Sequence, residues 1–429
     1  MIKSTYLISL LFWINFIFVS CKNETGTIHS DRYQAPILSL TEEELYDKVL
    51  GMLIGSAIGD AMGAPTEMWS RESIYSEYGF VTDLFPMIRE VSAEGIWKAN
   101  LPAGGTTDDT RWKVLTVNYL LRDNPNFLHS EKFARYILDE YNGYLEELDK
   151  IDSLDAEAYG NGMLKVDWLK EWAKVSKPYI EKDLYGFEKK LSTFYGGEMV
   201  CAGLLYSPVI GAFFPEDPEK AYLEAHKLAM YDIGYAKDIS ALTAAMTSAA
   251  MTKSGQTDEL LDVLRNIDPE DYYGSRLVGR TSYHILQKAL KLVHDFRAEL
   301  KDTISNNNVS LEKRMMDWDE SNLNPLFLKL DKHLQDMPFH AGEIYLQLLT
   351  AMIVADFDFE KTLSFLVNYG RDNDTTAAIA GGILGAFYGF DKLPDSMKRQ
   401  VLTVNKNELN IDLEKAALDF QQKIMSRYP

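Results

Sequence analysis

The chain has 429 residues, of which 46% are hydrophobic, 12% aromatic and 25% charged. This length and composition suffice for a large buried core, and they exclude a chain that is disordered throughout. The formal net charge of −20 at pH 7 argues against a nucleic-acid partner, because binding to phosphates requires a concentrated basic surface. We therefore expect a globular protein with an acidic surface that could include a cation site.

The N-terminal residues have the pattern of an export signal. Lys3 supplies a positive charge, residues 6–19 are apolar, and the small Ser20 precedes Cys21. The apolar run is short for a membrane span, and residues 1–20 resemble a bacterial lipoprotein signal peptide with lipidation at Cys21. The alternatives are an ordinary secretory signal and an N-terminal anchor helix. All three predict a protein outside the cytoplasm, and the first predicts a lipid-anchored one in the periplasm or at the cell surface.

The segment that follows is polar and reads as a tether over residues 21–40. The only other cysteine, Cys201, lies in an apolar run, which predicts a buried small side chain and no disulfide framework. Residues 41–429 are interpreted as a single all-α domain, with elaborations near 150–195 and 296–338. Both elaborations are regions where the helical pattern is mixed or highly charged.

Apolar residues at 3.6-residue spacing run through this domain, and alternating strand patterns are lacking. Thr41 and Glu44 form a capping box that starts the first helix. The spacing predicts further helices at 111–121, 131–148, 219–230, 238–252, 283–300, 343–355, 359–368 and 375–388. No heptad pattern is sustained, so we predict a compact orthogonal bundle of helices rather than a coiled coil.

Two of these helices carry stripes of small residues. The first stripe consists of Gly51, Gly55, Gly59 and Gly63. A similar stripe of alanine and glycine occupies residues 378–389. Glycine inside a helix costs about 1 kcal/mol relative to alanine, so we predict that both helices pack unusually closely on their neighbours, or on each other. Asp60 places a charged residue within the first apolar helix and disfavours a membrane-type helix pair.

Two oxygen-rich clusters precede predicted helices, at 106–110 (TTDDT) and at 372–376 (DNDTT). Taken alone, each cluster reads as an N-cap with acids at the positive end of a helix dipole. Together they contain four carboxylates, although a cap needs only one. Carboxylates and hydroxyls without His or Cys favour hard ions such as Mg²⁺, Mn²⁺ or Ca²⁺. Two clusters could hold two ions about 3.5–4 Å apart.

Three blocks in this order, GMLIGSAIGDAMGAPTEMW, TTDDT and GRDNDTTAAIAGGILGA, resemble the ADP-ribosylglycohydrolase family. The resemblance covers most of residues 45–390 and includes a similar middle region at 211–250. It implies an all-α fold, a binuclear Mg²⁺ site in which Mn²⁺ is possible, and hydrolysis of the bond between ribose C1 and an acceptor atom in ADP-ribosylated substrates. The acceptor atom could be nitrogen or oxygen.

The resemblance also implies roles for individual residues. The metal ligands would be Thr107, Asp108, Asp109, Asp372, Asp374 and Thr375. Asp108, Asp374 and Glu67 are candidates for the proton transfer that accompanies cleavage of a ribosyl bond. Asp60 would support the site by bonding the groups around the ligands. Where the family often has a threonine between the last two aspartates, this chain has Asn373.

Three other functions remain open at this point. The fold could serve a non-catalytic binding or structural lipoprotein, or the enzyme could hydrolyse another ribosyl compound. A two-metal phosphoesterase is disfavoured because such sites usually include histidine, and none lies near either cluster. We favour catalysis, because a structural protein has no use for four crowded carboxylates.

Overall fold

The computed structural model describes residues 37–122, 127–305 and 318–428. These residues are predominantly helical, and they form no extended strand, only two isolated bridges between Met87 and Leu101 and between Val200 and His340. The helices are α1 (Glu42–Gly63), α2 (Arg71–Tyr78), α3 (Asp108–Arg122), α4 (Ser130–Leu148), α5 (Ala156–Ile180), α6 (Leu184–Leu191), α7 (Ser207–Phe213), α8 (Pro218–Leu228), α9 (Ala236–Ala250), α10 (Thr257–Asn266), α11 (Thr281–Ser305), α12 (Glu320–Leu330), α13 (Ala341–Val354), α14 (Phe359–Tyr369), α15 (Asn373–Tyr388), α16 (Asp395–Glu408) and α17 (Leu413–Met425). The predicted all-α fold is confirmed.

Helices α1 and α15 form the centre of the fold and carry the two small-residue stripes. A Cβ atom at Gly55 would overlap the carbonyl oxygen of Gly381, and a Cβ at Gly381 would overlap that of Gly55. The two backbones therefore touch directly, as the stripes predicted, and they touch each other. The contact continues to the C-terminal end of α1, where a Cβ at Gly63 would overlap the backbone of Asp374. The stripe thus sets the end of α1 against the start of α15.

Helix α1 begins with the predicted capping box: Glu44 N donates to Thr41 Oγ1 at 3.2 Å, and Thr41 N donates to Glu44 Oε2 at 3.0 Å. The stretch Glu42–Thr66 is long and apolar enough to cross a membrane by length and composition, but its most apolar window is fully buried in the fold. That burial, together with its contact with α15, identifies α1 as the core helix of this domain.

The predicted elaboration at 150–195 contains α5 and α6, and α5 belongs to the core. Trp172 of α5 packs on Trp112 of α3 with ring centroids 4.1 Å apart. The second predicted elaboration, 296–338, includes the end of α11 and all of α12. Cys201 is buried, as predicted.

The predicted signal peptide, residues 1–20, and the lipidation site Cys21 lie outside the described residues. So does most of the predicted tether. Of its last residues, Ser39 N donates to Glu216 Oε2 at 2.7 Å, and Leu40 is buried. The chain is therefore already docked on the helical fold before α1 begins.

Candidate active site

The predicted ligand clusters meet where α1 ends and where α3 and α15 begin. Thr375 Oγ1 donates a hydrogen bond to Asp109 Oδ2 at 2.9 Å, across 266 positions of sequence. Thr107, Asp109, Asp372, Asp374 and Thr375 are all buried, whereas Asp108 is half-buried. The fold therefore brings the two predicted clusters, Thr107, Asp108 and Asp109 on one side and Asp372, Asp374 and Thr375 on the other, into contact.

Asp60 of α1 holds the N-terminal end of α3. Its carboxylate accepts hydrogen bonds from the backbone N–H groups of Thr107 and Thr110, at 3.0–3.1 Å, and from both hydroxyls, at 3.0 and 2.6 Å. Burial, assisted by the nearby Asp109, raises the pKa of Asp60 to about 7. Because the Asp60 side chain, from another helix, caps α3, the carboxylates of Asp108 and Asp109 are not needed as N-caps of that helix.

The carboxylates of the second cluster are not used as caps either. Asp372 occupies the N-cap position of α15, but its side chain makes no capping hydrogen bond. Asp374 Oδ1 is buried and has no hydrogen-bond partner among the described residues. A buried carboxylate oxygen without a partner is unfavourable unless a cation binds there. The capping interpretation therefore does not account for this cluster, which could hold a cation.

Glu67 completes a group of three carboxylates with Asp372 and Asp374. One oxygen of each lies within 4.8 Å of the other two. Mg²⁺ holds its oxygen ligands at about 2.0–2.1 Å, so ligands on opposite sides of one ion stand about 4 Å apart. The three oxygens fit a single hard cation after a small adjustment. Glu67, predicted from the sequence as a proton-transfer group, is thus placed where a metal ligand would be.

The loop that carries Glu67 is fixed on both sides. Arg89 Nη1 lies 2.5 Å from Glu67 Oε2. Met68 N donates to the carbonyl oxygen of Arg371 at 2.8 Å, and Arg371 pairs through two nitrogens with the buried Glu343 at 2.7 and 2.9 Å. These contacts tie the loop after α1 to the residues that precede α15. The sequence pattern predicted a role for Glu67 but for none of these supporting residues.

The crowded acids are protonated more easily than ordinary carboxylates. Burial raises the pKa of Asp374 well above its usual value, and the charges of Glu67 and Asp372 raise it further. The pKa of Asp372 is raised in the same way, by burial first and then by Glu67 and Asp109. A bound cation would favour the ionised forms, so protons and metal compete for this site.

Asp109, in the other cluster, is paired with the ammonium group of a buried lysine. Lys113 Nζ lies 3.1 Å from Asp109 Oδ1 and 3.0 Å from its backbone oxygen, and only 1% of Lys113 is exposed. The sequence-based predictions did not include this lysine, although it follows Asp109 by four residues, the spacing of an ion pair on a helix. Asp108 differs from Asp109 because it faces the adjoining cavity.

The cavity has a volume of about 260 Å³. Its acidic wall is formed by Glu67, Glu94, Asp108 and Asp372, together with Thr375. The remaining wall is mainly aromatic and aliphatic, formed by Met68, Trp112, Trp172, Tyr195, Val200, Cys201, Ala202, Leu205 and Phe339. Among the described residues, no basic side chain lines the cavity. Such a space can hold a sugar against the carboxylates and a planar group against the aromatic rings.

Comparison with known proteins identifies the family of this chain. The family model for ADP-ribosylglycohydrolase matches residues 41–428. An uncharacterized protein of Escherichia coli K12, YegU, is 21% identical over 370 residues, which cover 85% of this chain and 94% of YegU. An uncharacterized protein of Archaeoglobus fulgidus is 24% identical over 345 residues, 79% of this chain and 87% of that protein.

A solved structure described as an ADP-ribosylglycohydrolase-related protein complex is similar in fold, with a TM-score of 0.53 at 18% identity. The match covers 89% of this chain and 100% of the other. At this identity the similarity supports the fold alone. The family-model match, however, extends over nearly the whole described chain. This chain belongs to the ADP-ribosylglycohydrolase family.

Proposed function

We propose that this protein is a divalent-cation-dependent glycohydrolase that cleaves the bond between ribose C1 and an acceptor atom in ADP-ribosylated proteins or small molecules. Family membership supports glycosyl hydrolysis in general. The observation that carries the metal requirement is the buried, unpartnered Asp374 Oδ1 beside Asp372 and Glu67. An all-oxygen set of this kind suits Mg²⁺, with Mn²⁺ as the alternative.

Glu67, Asp372 and Asp374 would hold the cation, with Thr375 next to them at the cavity wall. When bound, the cation would orient the ribose hydroxyls and lower the pKa of a nearby water. The two-ion site expected from the sequence remains a prediction. Of its two carboxylate groups, the one formed by Glu67, Asp372 and Asp374 has oxygens close enough together to share an ion.

The chain's own residues would supply the proton transfer. Asp108 lies at the cavity, and burial raises its pKa well above the usual value for a carboxyl group. It can therefore hold a proton at its carboxyl group and exchange it with the glycosidic bond or with the attacking water. Arg111 holds the backbone at 93–95 beside the cavity, since its guanidinium donates to the carbonyl oxygens of Ala93 and Gly95 at 2.9 and 2.8 Å.

Two variants separate the proposed roles. For Asp374→Asn we expect at least a 100-fold loss of Mg²⁺ affinity, together with loss of activity. For Asp108→Asn we expect Mg²⁺ affinity within a few-fold of wild type and a fall in turnover of about 10²–10⁴, the usual contribution of a general acid or base. Calorimetric titration with Mg²⁺ and the rate of ADP-ribose release from ADP-ribosylated peptides would measure both effects.

The exposed Asp395→Asn, in α16, is the control and should match wild type in both assays. Unchanged circular dichroism would show that each variant folds. The metal site would be refuted if Asp374→Asn bound Mg²⁺ as tightly as wild type. Metal binding without release of a free sugar from any ribosyl substrate would favour the non-catalytic alternative.

The cavity lining supports a second candidate substrate within the same reaction class. A diphosphate carries negative charge, and none of the described lining residues is basic. The aromatic wall instead suits a ribosyl compound with a neutral, planar leaving group. Comparison of kcat/KM for ribonucleosides and for ADP-ribosylated peptides would decide between the two substrates.

We also propose that the protein is an exported lipoprotein anchored through Cys21, and that it binds no nucleic acid. The support is the N-terminal sequence pattern and the acidic composition. Labelling with a fatty-acid probe should mark the wild-type protein but not Cys21→Ser. Equal labelling of both would contradict the lipid anchor.

A further inference from the structure

The two carboxylate groups of the site differ in how many of their oxygens are already paired. In the group of Glu67, Asp372 and Asp374, Asp374 Oδ1 is buried without a partner among the described residues. Both carboxylate oxygens of Asp109, in contrast, are paired within the chain. Lys113 Nζ lies 3.1 Å from Oδ1, and the Thr375 hydroxyl donates to Oδ2 at 2.9 Å.

The other members of the first cluster also leave little for a second ion. The Thr107 hydroxyl donates to Asp60 Oδ1 at 3.0 Å and accepts from Asp109 N at 3.3 Å. Asp108 lines the cavity, as Glu67 and Asp372 do, and belongs to no group of three possible ligands among the described residues. Among the described residues, the group of three carboxylates able to share an ion is the one at Glu67, and it includes neither Asp108 nor Asp109.

Lys113 neutralises the carboxylate of Asp109 at a position where little water is present to screen the charge. Its side chain is only 2% exposed, and that of Asp109 only 1%. A buried charge is retained only when it is paired, and each partner here neutralises the other. A second divalent ion bound to Asp109 would stand close to this ammonium group in a poorly solvated interior, where repulsion between like charges is strong.

We propose that Lys113 takes the place of a second divalent cation, so that the site holds one ion, on Glu67, Asp372 and Asp374. The inference rests on the metal requirement proposed above. Lys113 is a positioning residue in this account: it fixes Asp109 so that Oδ2 faces Thr375 at the edge of the ion site. The two ions implied by the sequence resemblance are then reduced to one by a lysine of helix α3.

The test counts ions in the full-length protein after removal of bound metal. Titration with Mn²⁺, followed by electron paramagnetic resonance and calorimetry, should give one Mn²⁺ per chain and a spectrum without coupling between two ions. In Lys113→Met the ammonium is lost while the stem is kept. We expect this variant to bind two Mn²⁺ ions per chain, with a coupled spectrum.

Lys113→Arg retains the charge and should keep the count at one. Two ions per wild-type chain would overturn the proposal, and so would a count of one in a folded Lys113→Met variant. If Lys113→Met does not fold, the counts for wild type and Lys113→Arg decide the question. A count of zero in wild type would instead refute the metal-dependent function, so the two failures are distinguishable.

Discussion

Asp232 is a buried carboxylate that holds the backbone beside the cavity and does not line the cavity itself. It accepts hydrogen bonds from Gly203 N at 2.8 Å and from Ser240 Oγ at 2.6 Å. These bonds hold the turn whose neighbouring residues Ala202 and Leu205 line the cavity. Burial raises the pKa of Asp232 to about 6, above its ordinary value of 3.8. Its charge at neutral pH is therefore a cost to the folded state.

The pH dependence of stability should reveal this cost. Because the folded-state pKa is the higher one, the contribution of Asp232 is fully present below pH 3.8 and is lost as the pH rises through about 6. Asp232→Asn removes that loss while keeping an oxygen acceptor for Gly203 N. As the pH rises from 5 to 8, the free energy of unfolding of the variant should therefore increase by about 1–2 kcal/mol relative to that of wild type.

Urea denaturation of both proteins at the two pH values measures this difference. Other titrating groups are common to both proteins and cancel in the comparison. A variant that loses stability relative to wild type as the pH rises would show that Asp232 is ionised at little cost in the fold.

At the residue scale, the sequence predicted that the oxygens of the two clusters lie near one another, but it could not say how each one is paired. Whether Asp109 or Asp372 acts as a cap depends on residues far away in sequence, such as Asp60, which caps α3 from another helix. The ion pair of Asp109 with Lys113 is local, and the spacing alone could have suggested it. That the pair would be buried follows only from the packing of α3.

At the scale of elements, the α1–α15 contact predicts opposite effects for two glycine-to-alanine changes. Alanine normally stabilises a helix interior by about 1 kcal/mol over glycine. In Gly55→Ala the new Cβ would overlap the carbonyl oxygen of Gly381, so we expect a loss of about 1–3 kcal/mol from overpacking. Gly143, inside α4, has open space around its Cβ position.

Gly143→Ala is therefore the matched control, and it should be neutral or stabilising by up to about 1 kcal/mol. Chemical denaturation of the two variants measures the contrast. Equal stabilities would show that α1 and α15 can separate without cost. In that event the close approach of the end of α1 to Asp374 would need another explanation.

Periodicity located the helices whose apolar face is regular. The predicted 238–252 and 359–368 correspond to α9 (Ala236–Ala250) and α14 (Phe359–Tyr369). Helix α5 was not among the predicted helices and fell within the predicted elaboration 150–195, because its sequence contains glycines near the start and Pro178 near the end. Its packing on α3 through Trp172 is a tertiary contact that no spacing within α5 reveals.

At the scale of the whole molecule, the candidate site joins segments that are far apart in the chain. Glu67 follows α1, whereas Asp372 and Asp374 lie at the start of α15, which packs along the length of α1. The chain also carries a net charge of −20, and several of its acids, including Asp372 and Asp374, are buried here. A cation at this point should therefore stabilise the entire fold, because it binds only when these segments are assembled.

Thermal unfolding in Mg²⁺ and in EDTA tests this coupling. At a free Mg²⁺ concentration about 100 times the dissociation constant, binding to the folded state alone adds about 2.7 kcal/mol, which should raise Tm by several degrees. Asp374→Asn should lose most of the Mg²⁺-dependent shift, because a neutral amide oxygen is a much weaker ligand than the buried carboxylate. The surface variant Asp395→Asn should keep the full shift. Identical Tm values for wild type in Mg²⁺ and in EDTA would mean that the three carboxylates bind no ion in the folded protein, and would leave their burial without a compensating charge.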